Sequence, residues 1–203
     1  MGLYTQARKL EEIASTSISS VVNQVAYPVL SEFQNDNLSM IRVLQRFITS
    51  LAFLVFPLMM LLILIAKPLI ILLYSDKWVA SVPYFQILCI AGMAICLQMI
   101  NYNAVAAIGR SDILLKWTII KRSLGLILNI GGLICFGMYG LLWGGVLTAY
   151  SLYFINSYLV SRYVGYRIKS QIKDLFPIII TVLLTFVITY FLSNLVVLNI
   201  YFE

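Results

Sequence analysis

The chain is 203 residues long, 62% apolar and 11% charged, where soluble domains are about 25% charged. With a mean hydropathy of +0.96 and a formal net charge of +6, a soluble globular fold is excluded and a membrane-embedded one expected. A helix needs about 20 apolar residues to cross the hydrocarbon core, and stretches 51–65 and 175–192 are apolar on every side, unlike the alternating strands of a barrel. The expected class is all-α: a polytopic helical membrane protein with about six crossings, forming a single domain over 1–203.

The first segment, about 3–33, is the most polar. Ile18, Val21, Val22, Val25, Val29 and Phe33 recur at helical spacing, while Ser15, Thr16, Ser19, Ser20, Asn23, Gln24 and Tyr27 occupy the other side. A spanning helix must turn such a stripe toward protein or a water-filled cavity. The alternative is a helix lying flat at the interface, against which the lack of a Lys/Arg-rich polar face counts. Pro28 is expected to kink it. The second crossing, about 43–66, ends at Lys67-Pro68, with Lys67 snorkelling to the headgroups and 69–74 lying along the interface.

The third crossing, about 83–108, ends at Gly109-Arg110-Ser111-Asp112, where Gly stops one helix and Ser or Asp caps the next. The fourth, about 113–136, closes at Gly137. The fifth, about 139–160, carries Gly140 and Gly144 in a G-x-x-x-G spacing that permits close helix approach. A basic linker precedes the sixth, about 176–195. Tyr74, Trp78, Tyr84, Trp143 and Tyr163 fall near segment ends, as interfacial anchors do. Cys89, Cys96 and Cys135 sit in apolar runs without C-x-x-C spacing and His is absent, so neither disulfide, metal nor cofactor is expected.

Charge placement orients the crossings, because cytoplasmic loops collect Lys and Arg. Connections after the first, third and fifth segments hold Arg42, Arg46, Arg110, Lys116, Arg162, Arg167, Lys169 and Lys173. The opposite side holds only Arg8, Lys9, Lys67 and Lys77. The first group is therefore expected in the cytoplasm and both termini outside it. The first residues lack the apolar core and cleavage site of a signal peptide and read like the middle of a protein.

Several blocks resemble, in order and spacing, the bacterial polysaccharide (oligosaccharide) flippases of the multidrug/oligosaccharidyl-lipid/polysaccharide exporter superfamily. They are Gly2-Leu-Tyr-Thr-Gln-Ala-Arg-Lys-Leu, Ile18-Ser-Ser-Val-Val to Pro28-Val-Leu-Ser, Phe56-Pro-Leu-Met, Lys67-Pro-Leu-Ile-Ile-Leu-Leu-Tyr-Ser-Asp-Lys-Trp and Ala107-Ile-Gly-Arg-Ser-Asp. The resemblance implies the C-terminal lobe of a two-lobed transporter, with the N-terminal lobe on a longer or separate chain. It also implies flipping of undecaprenyl-pyrophosphate-linked oligosaccharide across the bacterial inner membrane, for lipopolysaccharide or other surface polysaccharide, as a multi-pass transporter and not an enzyme. Its expected partners are that lipid-linked glycan, the bilayer and the missing lobe, with no nucleic acid.

A cavity lined by amides, hydroxyls and cations can replace water around such a head group. Ser15, Ser19 and Asn23 of the first segment, Arg46 of the second and Gln98 and Asn101 of the third are candidate lining residues. In the fourth, Lys121 or Arg122 stacks with Gly125, Asn129 and Gly132 on one small, polar face. Lys121 and Arg122 equally suit the cytoplasmic interface, Arg46 suits snorkelling, and the amides suit interhelical hydrogen bonding. Asn103 points away from the Gln98 and Asn101 face. A cation-coupled multidrug exporter is the alternative, but it wants a membrane-embedded carboxylate, and Asp36, Asp112 and Asp174 fall at helix ends. A membrane glycosyltransferase or polymerase is less favoured, since the acids are scattered and no connection is long.

Overall fold

The computed structural model describes residues 2–202, with side chains at 2–110 and 112–191. These residues form α1 (Gly2–Glu32), α2 (Asn37–Leu64), α3 (Ala66–Tyr74), a 3-10 turn (Asp76–Ser81), α4 (Val82–Ala107), α5 (Ser111–Tyr163) and α6 (Ile168–Phe202). The fold is all-helical, and among the described residues four stretches are long and apolar enough to cross a membrane: Asn37–Leu64, Asp76–Ala107, Asp112–Tyr163 and Ile168–Phe191. α1 is not among them; its polar stripe lowers its hydropathy.

α5 is two helices. Gly137 takes φ 62° and ψ −141°, a left-handed backbone that glycine adopts without a Cβ penalty, and the chain reverses there. Contacts step outward from this point in both directions: Gly132 with Gly140, Leu128 with Gly144, Gly125 with Thr148, Lys121 with Asn156 and Trp117 with Tyr158. That ladder defines an antiparallel hairpin whose arms are 111–136 and 138–163. Small residues make it tight: a Cβ on Gly132 would run into the Gly140 carbonyl, and one on Gly144 would lie 2.6 Å from the Leu128 carbonyl oxygen.

α4 is the centre. Its apolar character extends all round, as a helix surrounded by protein requires, and Ala91, Gly92, Ala94, Cys96, Ala104 and Ala107 are buried small residues that admit neighbours. α1 runs beside it in the same direction, with Glu11 at Gly92, Ser15 and Ser19 at Cys96, and Asn23 at Asn103. α2 runs oppositely: Met59 meets Gly92, and the Ile63 carbonyl accepts from Gln86 Nε2 at 3.0 Å. The second arm of α5 runs parallel, through Tyr84–Tyr139, Tyr150 with the Ile90 carbonyl, and Asn101 with Ser157. The connections at 33–36, 108–110 and 164–167 therefore share one end of the bundle, and the Gly137 turn lies at the other.

Boundaries differ from expectation for local reasons. α2 starts at Asn37, earlier than about 43, because Asp36 caps it: Oδ1 accepts from the N–H groups of Leu38 at 3.0 Å and Ser39 at 3.2 Å. The second crossing breaks at Ile65, so Lys67-Pro68 begins α3 rather than ending α2; a proline is tolerated in a first helical turn. At the start of α5 Arg110 takes the cap position without a side-chain cap bond, pairing instead with Asp112 at 3.4 Å and lying 5.4 Å over the Tyr163 ring. The basic linker is helical: α6 begins at Ile168, burying Gln171 and Leu175. α1 continues through Pro28 to Glu32.

The hairpin should tolerate little at its crossing. Replacing Gly132 or Gly140 with Val is expected to destabilise the folded protein by about 1–3 kcal/mol through overpacking, whereas Gly131→Ala, which meets nothing, should be neutral or mildly stabilising. Equal denaturant resistance of all three variants would refute the close approach.

The hydrogen bonds to Asp36 hold its carboxyl below the usual carboxylate range, Ser39 contributing most. Its folded value being depressed, the cap's contribution is full above about pH 3.9 and fades as pH falls through the folded value. Asp36→Ala should therefore lower thermal stability at neutral pH and flatten its acid-side decline. Parallel wild-type and variant melting curves across that range would count against it.

Candidate functional site: a polar cavity between α1, α4 and the α5 hairpin

Helical periodicity gathers polar groups from three elements around one cavity of about 810 Å³. α5's first arm contributes Thr118, Lys121, Arg122, Gly125, Leu126 and Asn129, a set recurring at three and four residues. Its second arm contributes Thr148, Leu152 and Asn156, each one turn from the next. α4 supplies Gln98, Met99, Tyr102 and Asn103, and α1 supplies Asn23. Counted from Ser111, the first-arm residues lie about 10 to 27 Å along the helix axis.

The lining is held by three separate groups of hydrogen bonds. Lys121, buried at 9% exposure, turns its ammonium inward to donate to Asn156 Oδ1, and its Nζ lies 5.8 Å from the Tyr102 ring centroid. Asn156 Nδ2 donates in turn to the Gln98 carbonyl at 3.3 Å. Asn129 Nδ2 donates to the Gly125 carbonyl at 2.7 Å and to Thr148 Oγ1 at 3.4 Å, tying the two arms together. Asn103 Nδ2 donates to Asn23 Oδ1 at 2.7 Å, closing α1 onto the wall.

Two cations and no acid line this space, and no ion pair among the described residues involves Lys121 or Arg122. A buried ammonium without a counter-ion leaves an electrostatic vacancy for an anion. The amides and hydroxyls around it suit a polyhydroxylated solute. Nothing in the lining combines a nucleophile with a base.

Of the expected lining residues, Asn23, Gln98, Lys121, Arg122 and Asn129 come together here. Ser15 and Ser19 do not reach the cavity: Ser15 is buried in the α1–α4 seam, and the Ser19 hydroxyl lies 3.8 Å from Cys96 Sγ. Arg46 is exposed on α2, away from the cavity. Asn101 belongs to a separate buried cluster, donating to Ser157 Oγ at 3.0 Å and Gln171 Oε1 at 3.3 Å. Beside that cluster Gln171 Nε2 donates to the Tyr166 carbonyl, and the Tyr166 hydroxyl donates to Asp174 at 2.5 Å. Burial, then the Asp174 carboxylate, push the Tyr166 phenol well above its usual range, so it remains the donor.

Sequence reasoning missed Asn103, Tyr102, Thr118, Thr148 and Asn156. Gln98 and Tyr102 are one turn apart, and Thr148, Leu152 and Asn156 form a visible i, i+4, i+8 row. Asn103 was set aside because it faces away from Asn101, yet it is Asn101 that leaves the cavity. The sequence also gave no weight to Glu11. It is a buried carboxylate at the end of the first third of α1, outside the set of Asp36, Asp112 and Asp174 that the sequence offers at helix ends.

A family model described as "Polysaccharide biosynthesis protein" matches residues 1–83. Over 117 residues the chain is 27% identical to the teichuronic acid biosynthesis protein TuaB of Bacillus subtilis (strain 168), covering 58% of this chain and 24% of that protein. Over 77 residues it is 32% identical to an uncharacterized membrane protein in the cps region of Klebsiella pneumoniae, covering 38% of this chain and 16% of that protein. The matched region thus spans about a quarter or less of either relative. No solved structure matches the chain. Among the cavity residues Asn23 lies within the family match, and the others lie beyond residue 83.

The Lys121–Asn156 pair should be energetically coupled. Asn156→Leu leaves a buried ammonium without its acceptor and is expected to cost about 1–3 kcal/mol, whereas the same change in a Lys121→Met background should cost much less. A double-mutant cycle of unfolding free energies that closes additively would show that the two side chains do not meet.

Proposed function

We propose that this chain is part of a transporter that flips a lipid-linked oligosaccharide across a bacterial inner membrane for surface polysaccharide biosynthesis. The observation that carries the reading is the acid-free cavity, with the Lys121 ammonium held inside the helical bundle beside amides and hydroxyls. A pyrophosphate or acidic sugar would meet Lys121 and Arg122, and neutral sugars would exchange hydrogen bonds with Asn23, Gln98, Asn103, Asn129 and Asn156. The similarity to proteins of polysaccharide biosynthesis supports the same substrate class. Undecaprenyl-pyrophosphate-linked oligosaccharide satisfies both ends of that requirement, its tail remaining in lipid. No covalent step is involved, so the chain acts as a transporter rather than an enzyme.

A helical bundle around one cavity alternates access by rocking against a second unit. That unit is the N-terminal lobe implied by the resemblance, on the same or another chain. The wider set of basic residues at the 33–36, 108–110 and 164–167 end supports a cytoplasmic position for that end. A cation-coupled multidrug exporter remains a second reading because Glu11 is a carboxylate inside the bundle. The basic cavity disfavours it, since lipophilic cations would be repelled.

The test is glycan export in the full-length context. Neutralising both Lys121 and Arg122 with Gln is expected to reduce surface polysaccharide and accumulate lipid-linked precursor on the cytoplasmic side, at unchanged membrane abundance. Normal export by that variant would return both cations to an interfacial role.

A further inference from the structure

Glu11 sits where α1 crosses α4, 5% exposed, and its Oε1 has no hydrogen-bond partner among the described residues. The site exists because residue 92 is glycine: a Cβ there would lie 2.7 Å from Oε1 and 3.2 Å from the Met59 methyl. From α4 the facing titratable groups are the Cys89 and Cys96 thiols, and from α2 the Met59 thioether lies beside the same site. On α1 itself Ser15 is within hydrogen-bonding reach one turn on. Arg8, one turn back, is committed elsewhere, bonded to Glu12 at 2.7 Å and to the Tyr4 hydroxyl at 3.1 Å on the exposed side. Among the described residues no cation forms an ion pair with Glu11; Arg8 and Glu12, on its own helix, act on it only through space and with opposite sign.

An ionised carboxylate with a bare oxygen is poorly tolerated in such surroundings, while the neutral acid is not. We propose that Glu11 is a proton-binding site in the α1–α4 seam, the seam closing when the carboxyl is protonated and parting when it is ionised. The step is a simple protonation: the carboxylate takes H+ from water at the N-terminal end of α1, and on ionising returns it there while water enters to solvate the anion.

The seam runs on toward the cavity. Beyond Glu11 the Cys96 thiol donates to the Ser15 carbonyl at 3.9 Å, and beyond that Asn103 donates to Asn23 in the cavity wall. Parting α1 from α4 at Glu11 thus loosens the wall about three turns away, linking proton occupancy to cavity access. That last link rests on the transport reading given above; the proton site itself does not.

Cys96 reports the seam directly. In the complete chain reconstituted in lipid vesicles, with Cys89→Ala and Cys135→Ser, maleimide labelling of Cys96 is measured from mildly acidic to mildly alkaline pH. Rates are divided by those of the denatured chain to remove the thiol's own ionisation. The expected result is protection at acid pH and labelling that rises by about tenfold per pH unit until it levels, as one proton demands. Glu11→Gln should stay protected throughout.

Protection of the wild type at every pH, or an identical pH curve in Glu11→Gln, would overturn the proposal. Should Glu11→Gln fail to assemble, isotope-edited infrared spectra of the wild type decide. A glutamic-acid carbonyl band must disappear over the same pH interval as Cys96 becomes reactive, and its absence at acid pH would equally overturn the proposal. Neither measurement contains glycan, so the proton site and the flipping reading fail separately.

Discussion

A hydrocarbon layer supplies no hydrogen bonds, so every polar side chain carried through it must find its partner inside the bundle. In this protein that requirement organises the helices around α4. Asn23 reaches Asn103, Asn101 reaches Ser157 and Gln171, Lys121 reaches Asn156, and Asn129 reaches Thr148. Each bond joins two helices, or the two arms of the α5 hairpin. α1, too polar to satisfy a hydropathy window, meets α4 through Ser15, Ser19 and Asn23, whereas the rest of its expected stripe, Thr16, Ser20, Gln24 and Tyr27, is exposed, Thr16 and Ser20 bonding back to their own helix.

Two different uses of small residues follow. Along the α5 hairpin, Gly132, Gly140 and Gly144 bring backbones together near the Gly137 reversal, so the arms touch closely at that end. Further from the turn the spacing is filled by Thr148 against Gly125, then by Lys121 with Asn156, and the cavity appears between the arms and α4. Along α4, Gly92 makes room for a carboxylate rather than for a backbone. The same residue type thus closes one interface and admits a polar group into another.

Much of this was legible in the sequence. Periodicity and continuous apolar runs gave the helical class, and Gly137 and Gly109 marked reversals because both need positive φ. The face shared by Lys121, Arg122, Gly125 and Asn129 was readable from spacing alone. Which neighbour that face meets was not, because partner choice is a property of packing. Asn101 and Gln98 look equivalent in one dimension, yet Gln171 on α6, about 70 residues on, claims the first and leaves the second to the cavity. Glu11 was obscured by its exposed neighbours Arg8 and Glu12, which make the first turns of α1 read as a solvated end.

The face away from the polar cavity completes the physical picture. Between α2 and α6 lies a groove of about 550 Å³ lined by Phe53, Pro57, Met60, Leu61, Pro177, Ile178 and Val182, with Thr181, Thr185 and Thr189 along one edge. Those hydroxyls do not make the groove polar. Each donates to the carbonyl one turn earlier, Thr181 to Pro177, Thr185 to Thr181 and Thr189 to Thr185, all at 2.8 Å. A hydroxyl bonded to its own helix presents mainly its methyl group outward, so the groove meets lipid as a dry surface. The bundle therefore carries a polar, cationic cavity on one side and an apolar furrow on another.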